Sequence, residues 1–89
     1  MPHKIILIQN LTVFPKELHV NANDTVQYHA NNDAVDISFD GGKTPIGVAS
    51  EHVPAGAGGN IHSVTGSSGS YPYTATVNGS PIDPMLIVD

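Results

Sequence analysis

Five histidines and eight carboxylates are the groups in this chain with the most evident chemistry. His19 and His29 flank one turn on the outward faces of their segments; they meet across a hairpin or lie in different sheets. His52 and His62 flank a glycine-rich stretch. A two-histidine Zn²⁺ or Cu²⁺ site needs its donors close together, and none of these pairs has a spacing such as H-x-H or H-x₃-H. His19, His29, His52 and His62 are therefore weak metal candidates beside the plainer reading of solvated surface histidines. Asp33, Asp36 and Asp40 lack the glycine and closing glutamate of a calcium loop in register, so they read as a solvated strand face and turns. Met1-Pro2-His3 has the outline of an amino-terminal copper clip, but Pro2 has no amide proton to lose. Gly41-Gly42-Lys43-Thr44 ends like a phosphate loop, yet the first glycine of that loop would fall on Ile37. The GSSGS run at 66–70 lacks the strand–turn–helix setting of a nucleophile elbow. Asn10-Leu11-Thr12 and Asn78-Gly79-Ser80 match a glycosylation pattern that is common by chance.

The missing residue types narrow the choice further. There is no cysteine, hence no thiolate and no disulfide. Three lysines and no arginine stand against eight carboxylates, for a net charge of −5. Clustered cations that neutralise phosphate are absent, which excludes nucleic acid and disfavours an anionic membrane. The first apolar run, Ile5 to Ile8, is far shorter than the roughly 7–15 residues of a secretory core. No stretch approaches the ~20 apolar residues of a membrane span. Taken at face value, the expected compartment is cytoplasmic.

These groups must be positioned by strands. Glycine and proline together supply sixteen of the 89 residues, and short apolar runs are separated by turn chemistry. One domain, residues 1–89, is expected. Lys4–Gln9 reads as a strand, and its unbroken Ile5-Ile6-Leu7-Ile8 suggests burial on both faces. Leu18 and Val20 share a face, as do Val26 and Tyr28, then Val35, Ile37 and Phe39, then Tyr71, Tyr73, Ala75 and Val77. Further strand candidates are 45–50, 60–65 and the closing 84–88. The segment PAGAGGN reads as a mobile loop tip. Seven or eight short strands in so small a domain argue for a sandwich or barrel.

Phe14-Pro15, then Leu18 and Val20, then Asp24-Thr25-Val26 and Tyr28, resemble the opening of a cupredoxin, the family of small blue-copper proteins. The family pattern runs F-x-P or F-P, then V-x-x-G-D-T-V-x-W; Asn23 stands here for the glycine and Tyr28 for the tryptophan. Gly69-Ser70-Tyr71-Pro72-Tyr73 resembles the G-x-Y-x-Y before the copper loop, and Met85–Val88 the closing strand. Residues 40–60 have no counterpart. The resemblance implies an all-β fold, a small antiparallel Greek-key β-sandwich. It also implies where copper ligands would stand. The first histidine would fall on Val35, the cysteine on Ala75 and the second histidine on Asn78. Met85 lies too near the chain's last strand residue for the axial place, which falls nearer Ile82 or Asp83. A blue site depends on its soft thiolate, so no type 1 copper and no cofactor are expected.

The expectation is a non-catalytic binding or assembly module. Its partner is an unidentified protein or small ligand, bound by the loop Asn78, Gly79, Ser80, Ile82 and Asp83. An exposed strand edge would permit a homo-oligomer. The alternative is a copper or zinc protein with a rearranged histidine site. A remoter enzyme reading starts from Pro2, which would become a secondary amine and general base if Met1 were removed, as in the tautomerases. That family's β-α-β fold needs helices for which this sequence gives no support.

Overall fold

The computed structural model describes residues 2–89, and the alternation read from the sequence is realised as two packed sheets. The strands are β1 (His3–Gln9), β2 (Thr12–Phe14), β3 (Glu17–Val20), β4 (Thr25–Ala30), β5 (Val35–Phe39), β6 (Ser50–Val53), β7 (Ala57–Gly58), β8 (His62–Ser63), β9 (Gly69–Val77), β10 (Ser80–Ile82) and β11 (Met85–Val88). The first sheet has the order β2-β1-β4-β7, with β8 also on β4; the second has the order β3-β11-β9-β5-β6, with β10 also on β9. The segmentation is finer than seven or eight strands. Pro15 divides the chain between β2, in the first sheet, and β3, in the second. Glycines and prolines cut the later strands short. Most pairings are antiparallel, but β1–β4 and β11–β3 are parallel. Among the described residues the one helical element is a 3-10 turn, Asp40–Gly42.

The core forms because inward residues of both sheets are aliphatic at period two. Ile6 and Ile8, Val26 and Tyr28, Val35 and Ile37, Ala75 and Val77, Leu86 and Val88 are all buried. Tyr73 packs edge-on against Tyr28, with ring centroids 5.7 Å apart, and tilted against Phe39 at 4.9 Å. At one margin Lys4 turns inward, donates to the His19 carbonyl at 2.8 Å and lies 3.6 Å from the buried carboxylate of Asp24. Asp24 in turn accepts from the Asn21 N–H, which fixes the turn before β4.

Three sequence expectations are corrected. The apolar run at the start is buried on one face only: Ile6 and Ile8 are inside, whereas Ile5 and Leu7 are exposed by 50% and 38%. The strand expected over 45–50 does not form; only Ser50 is in a strand, as the first residue of β6. Pro45 offers no N–H, its carbonyl accepts from Thr65 and Gly66, and Gly47 turns the chain at φ 80. The segment instead seats Pro45 and Ile46 in the core, and Gly66 passes so close to Pro45 that a Cβ there would lie 2.7 Å from its backbone. The glycine-rich tip around 56–59 is tied down, since β7 pairs with β4 and Gly59 donates to the Tyr28 carbonyl.

Candidate functional site

Two tight turns sit side by side at one end of the sandwich. Val77 and Ser80 pair across Asn78-Gly79, both at positive φ (51 and 78), as a two-residue hairpin of right-handed strands requires. Gln9 and Thr12 pair across Asn10-Leu11, also both at positive φ (50 and 60). Asn32 donates to the Asn10 side chain at 3.1 Å, bracing the second turn against the β4–β5 connection. Between the turns lies an open groove of about 330 Å³ lined by Asn10, Leu11, Asp33, Val77, Asn78 and Ser80.

Beneath the turns the structure is closed and apolar. Val35 pairs with both Val53 and Val77, and Ala75 with both Ile37 and Ile82. Val35 and Ala75 are fully buried, while Asn78 is exposed at the turn. Met85 alternates with buried Leu86, so its side chain takes the outward parity of β11. The five residues expected to bind a partner are split between elements: Asn78 and Gly79 form the turn, Ser80 and Ile82 belong to β10, and Asp83 lies in the link to β11.

The histidines are dispersed. His19 is in the second sheet and His29 in the first. His19 lies 3.0 Å from Asp89 and 3.5 Å from Glu17. The hydrogen bond and charge of Asp89, reinforced by Glu17, raise its pKa above the ordinary 6.5. His52 meets Asp36 across strands at 2.7 Å. His62 meets Glu51 at 3.0 Å. His3 contacts Thr25 and Gln27 at 2.7 and 3.2 Å. Among the described residues no three histidines, aspartates or glutamates converge as a metal site. The tautomerase reading lacks its β-α-β frame, and the Pro2 carbonyl simply accepts from the Thr25 N–H. Met1, which both amino-terminal readings invoke, lies outside the described residues.

Two features escaped the sequence. Glu51 and His62 take the inward parity of β6 and β8 and clasp the edges of the two sheets, with side chains only 9% and 10% exposed. Glu51 also accepts from the Asn60 N–H. Deeper in, the Tyr28 and Tyr73 hydroxyls are close enough to influence one another's ionisation, yet neither meets a partner in hydrogen-bonding geometry. Burial, with Tyr73 adding to it, raises the Tyr28 phenol well above its ordinary range; burial pushes Tyr73 up to about 12. No local motif marks either pair, because each joins strands distant in sequence.

No protein-family model and no curated protein matches the chain by sequence. Solved structures do match. A reduced tryptophan-to-tyrosine variant of amicyanin superposes with a TM-score of 0.73 at 21% identity, over 96% of this chain and 80% of that one. Amicyanin from Paracoccus versutus (Thiobacillus versutus) gives 0.69 at 19%, over 96% and 79%. The Cu(I) form of a methionine-to-alanine amicyanin variant gives 0.73 at 20%, over 96% and 80%.

The residues present do not fit copper. Val35 and Ala75 offer hydrocarbon at the two places the resemblance gives to histidine and cysteine, and Asn78 is a poor substitute for imidazole. Without a thiolate, no arrangement of this chain's side chains supplies a blue-copper donor set. The chain thus has the cupredoxin fold of amicyanin, with closed apolar packing where the resemblance places copper ligands.

Proposed function

We propose that this domain is a non-catalytic binding module that docks a protein through the paired turns at the loop end. One observation carries the reading. Leu11 holds a left-handed backbone (φ 60) and is 53% exposed, in the position that glycine fills in the neighbouring Asn78-Gly79 turn. For an L-residue that conformation costs about 1–2 kcal/mol. An exposed leucine gains little from burial in return. Strain maintained at an exposed apolar side chain fits a side chain whose burial comes on binding. Open, shallow walls around it suit a protein surface better than a small ligand, which is usually enclosed.

The experiment is Leu11→Gly, with thermal stability and partner capture measured together. The expected variant is more stable by about 1 kcal/mol and no longer captures the partner retained by the unaltered protein. Unchanged capture by Leu11→Gly would refute the docking role.

A further inference from the structure

We propose that two copies of this chain associate face to face through the outer surface of the first sheet. The proposal is independent of the loop-end reading. Ile5 and Leu7 project from the outer face of β1, and Phe14, 70% exposed, stands opposite Leu7 across the β1–β2 pair. Beside Phe14 lies a groove of about 320 Å³ lined by Leu7, Gln9, Asn10, Thr12 and Phe14. A knob and a hollow therefore occupy one surface. A two-fold axis through that surface seats each Phe14 in the other copy's groove, the self-complementarity that an isologous dimer requires.

Charge identifies the occupant. The outward residues of β1, β2 and β4 are His3, Ile5, Leu7, Gln9, Thr12, Phe14, Thr25, Gln27 and His29, with no lysine or carboxylate among them. Of the eight carboxylates, Asp24 is buried and Glu51 faces the sandwich edge. Glu17, Asp36 and Asp89 belong to the second sheet or its end, and the other three lie in connecting segments. A second copy carries the same −5. Stacking the uncharged faces puts both second sheets on the far sides. Their carboxylates are then separated by several sheet spacings of about 10 Å, beyond the screening length of about 8 Å in physiological salt. A basic partner would be drawn to the opposite side instead.

The molecule measures 31 × 25 Å across its broad dimensions, so full overlap of the two faces would approach the ~800 Å² that each partner contributes to a standard interface, and partial overlap would give a smaller, weaker one. Edge pairing is the poorer route to a dimer. β2 is three residues long and is followed by Pro15, and β3 follows Lys16 and begins at Glu17, features that disfavour strand addition at those edges.

Sedimentation velocity across a concentration series, up to about 0.5 mM in about 0.15 M salt, tests the proposal. The expected species at the upper end has twice the 9.3 kDa chain mass. The double variant Ile5→Asp/Phe14→Asp apposes like charges and should lower the association constant at least about 100-fold. Ile5→Thr/Phe14→Thr, which keeps strand propensity, should also weaken it. Amide resonances that shift with concentration should map to Ile5, Leu7, Phe14 and Gln27. A monomer throughout the series, dimerisation unaffected by both double variants, or shifts confined to the second sheet would each overturn the proposal.

Discussion

The two outer faces of the sandwich are built on the same strand geometry but solvated differently. On the second sheet, outward positions carry Asp36 and His52 paired across strands, Thr74 and Thr76 on β9, and Glu17 and His19 at the far edge. On the first sheet, the equivalent parity carries Ile5, Leu7 and Phe14 with uncharged neighbours. Both sheets contribute buried residues to the one core. The exposed large apolar residues within strands, all on the first sheet, are therefore not a failure of core formation. They are surplus to the fold, and larger exposed apolar patches mark interaction surfaces.

The sharpest test of this contrast uses adjacent residues of β1. Ile6→Ala should cost about 3 kcal/mol in denaturant unfolding, because its side chain is fully buried. Ile5→Ala, in protein dilute enough to be monomeric, should change stability by less than about 0.5 kcal/mol. Equal losses would break the distinction between the two sides of the strand. Next in size is Glu51→Ala, which leaves His62 and the Asn60 N–H without their acceptor; a loss of about 2–3 kcal/mol is expected. A much smaller loss would mean that the clasp between sheet edges contributes little.

Tyr28→Phe removes a buried hydroxyl that lacks a partner and should stabilise the domain by about 1 kcal/mol. It also bears on alkaline behaviour. The folded pKa lies above the ordinary 10.0, so the unfolded chain ionises first and stability falls as pH rises past that value. The variant should soften that fall, seen as a higher melting temperature at alkaline pH. The smallest effect concerns the second sheet. Because Asp89 raises the folded pKa of His19, its contribution is complete below 6.5 and is lost as pH rises through the folded value. NMR titration of Asp89→Asn should move the His19 midpoint back toward 6.5.

Sequence reasoning reached the fold because burial in a sandwich follows a period of two. Val26 and Tyr28, or Ala75 and Val77, declare their side by alternation alone. The run Ile5-Ile6-Leu7-Ile8 misled for the same reason: with every residue apolar, alternation carries no information about which face is solvated. The inward facing of Val35 and Ala75 was legible through the same strand parity, and both are buried in the structure. What was hidden depends on backbone angles and long-range pairing. Nothing local distinguishes Asn10-Leu11 as the twin of Asn78-Gly79, or brings Glu51 to His62. The parallel partnership of β1 with β4 likewise depends on residues more than twenty positions apart.

The closed apolar packing around Val35 and Ala75 is tested most directly by titrating isotope-labelled protein with Cu(II) and following amide and methyl resonances. Paramagnetic broadening is expected only around exposed histidines such as His19 and His52, without a saturable one-to-one complex. Stoichiometric copper that broadens Val35, Ala75 and Asn78 together would contradict the claim that this end of the fold has no metal centre.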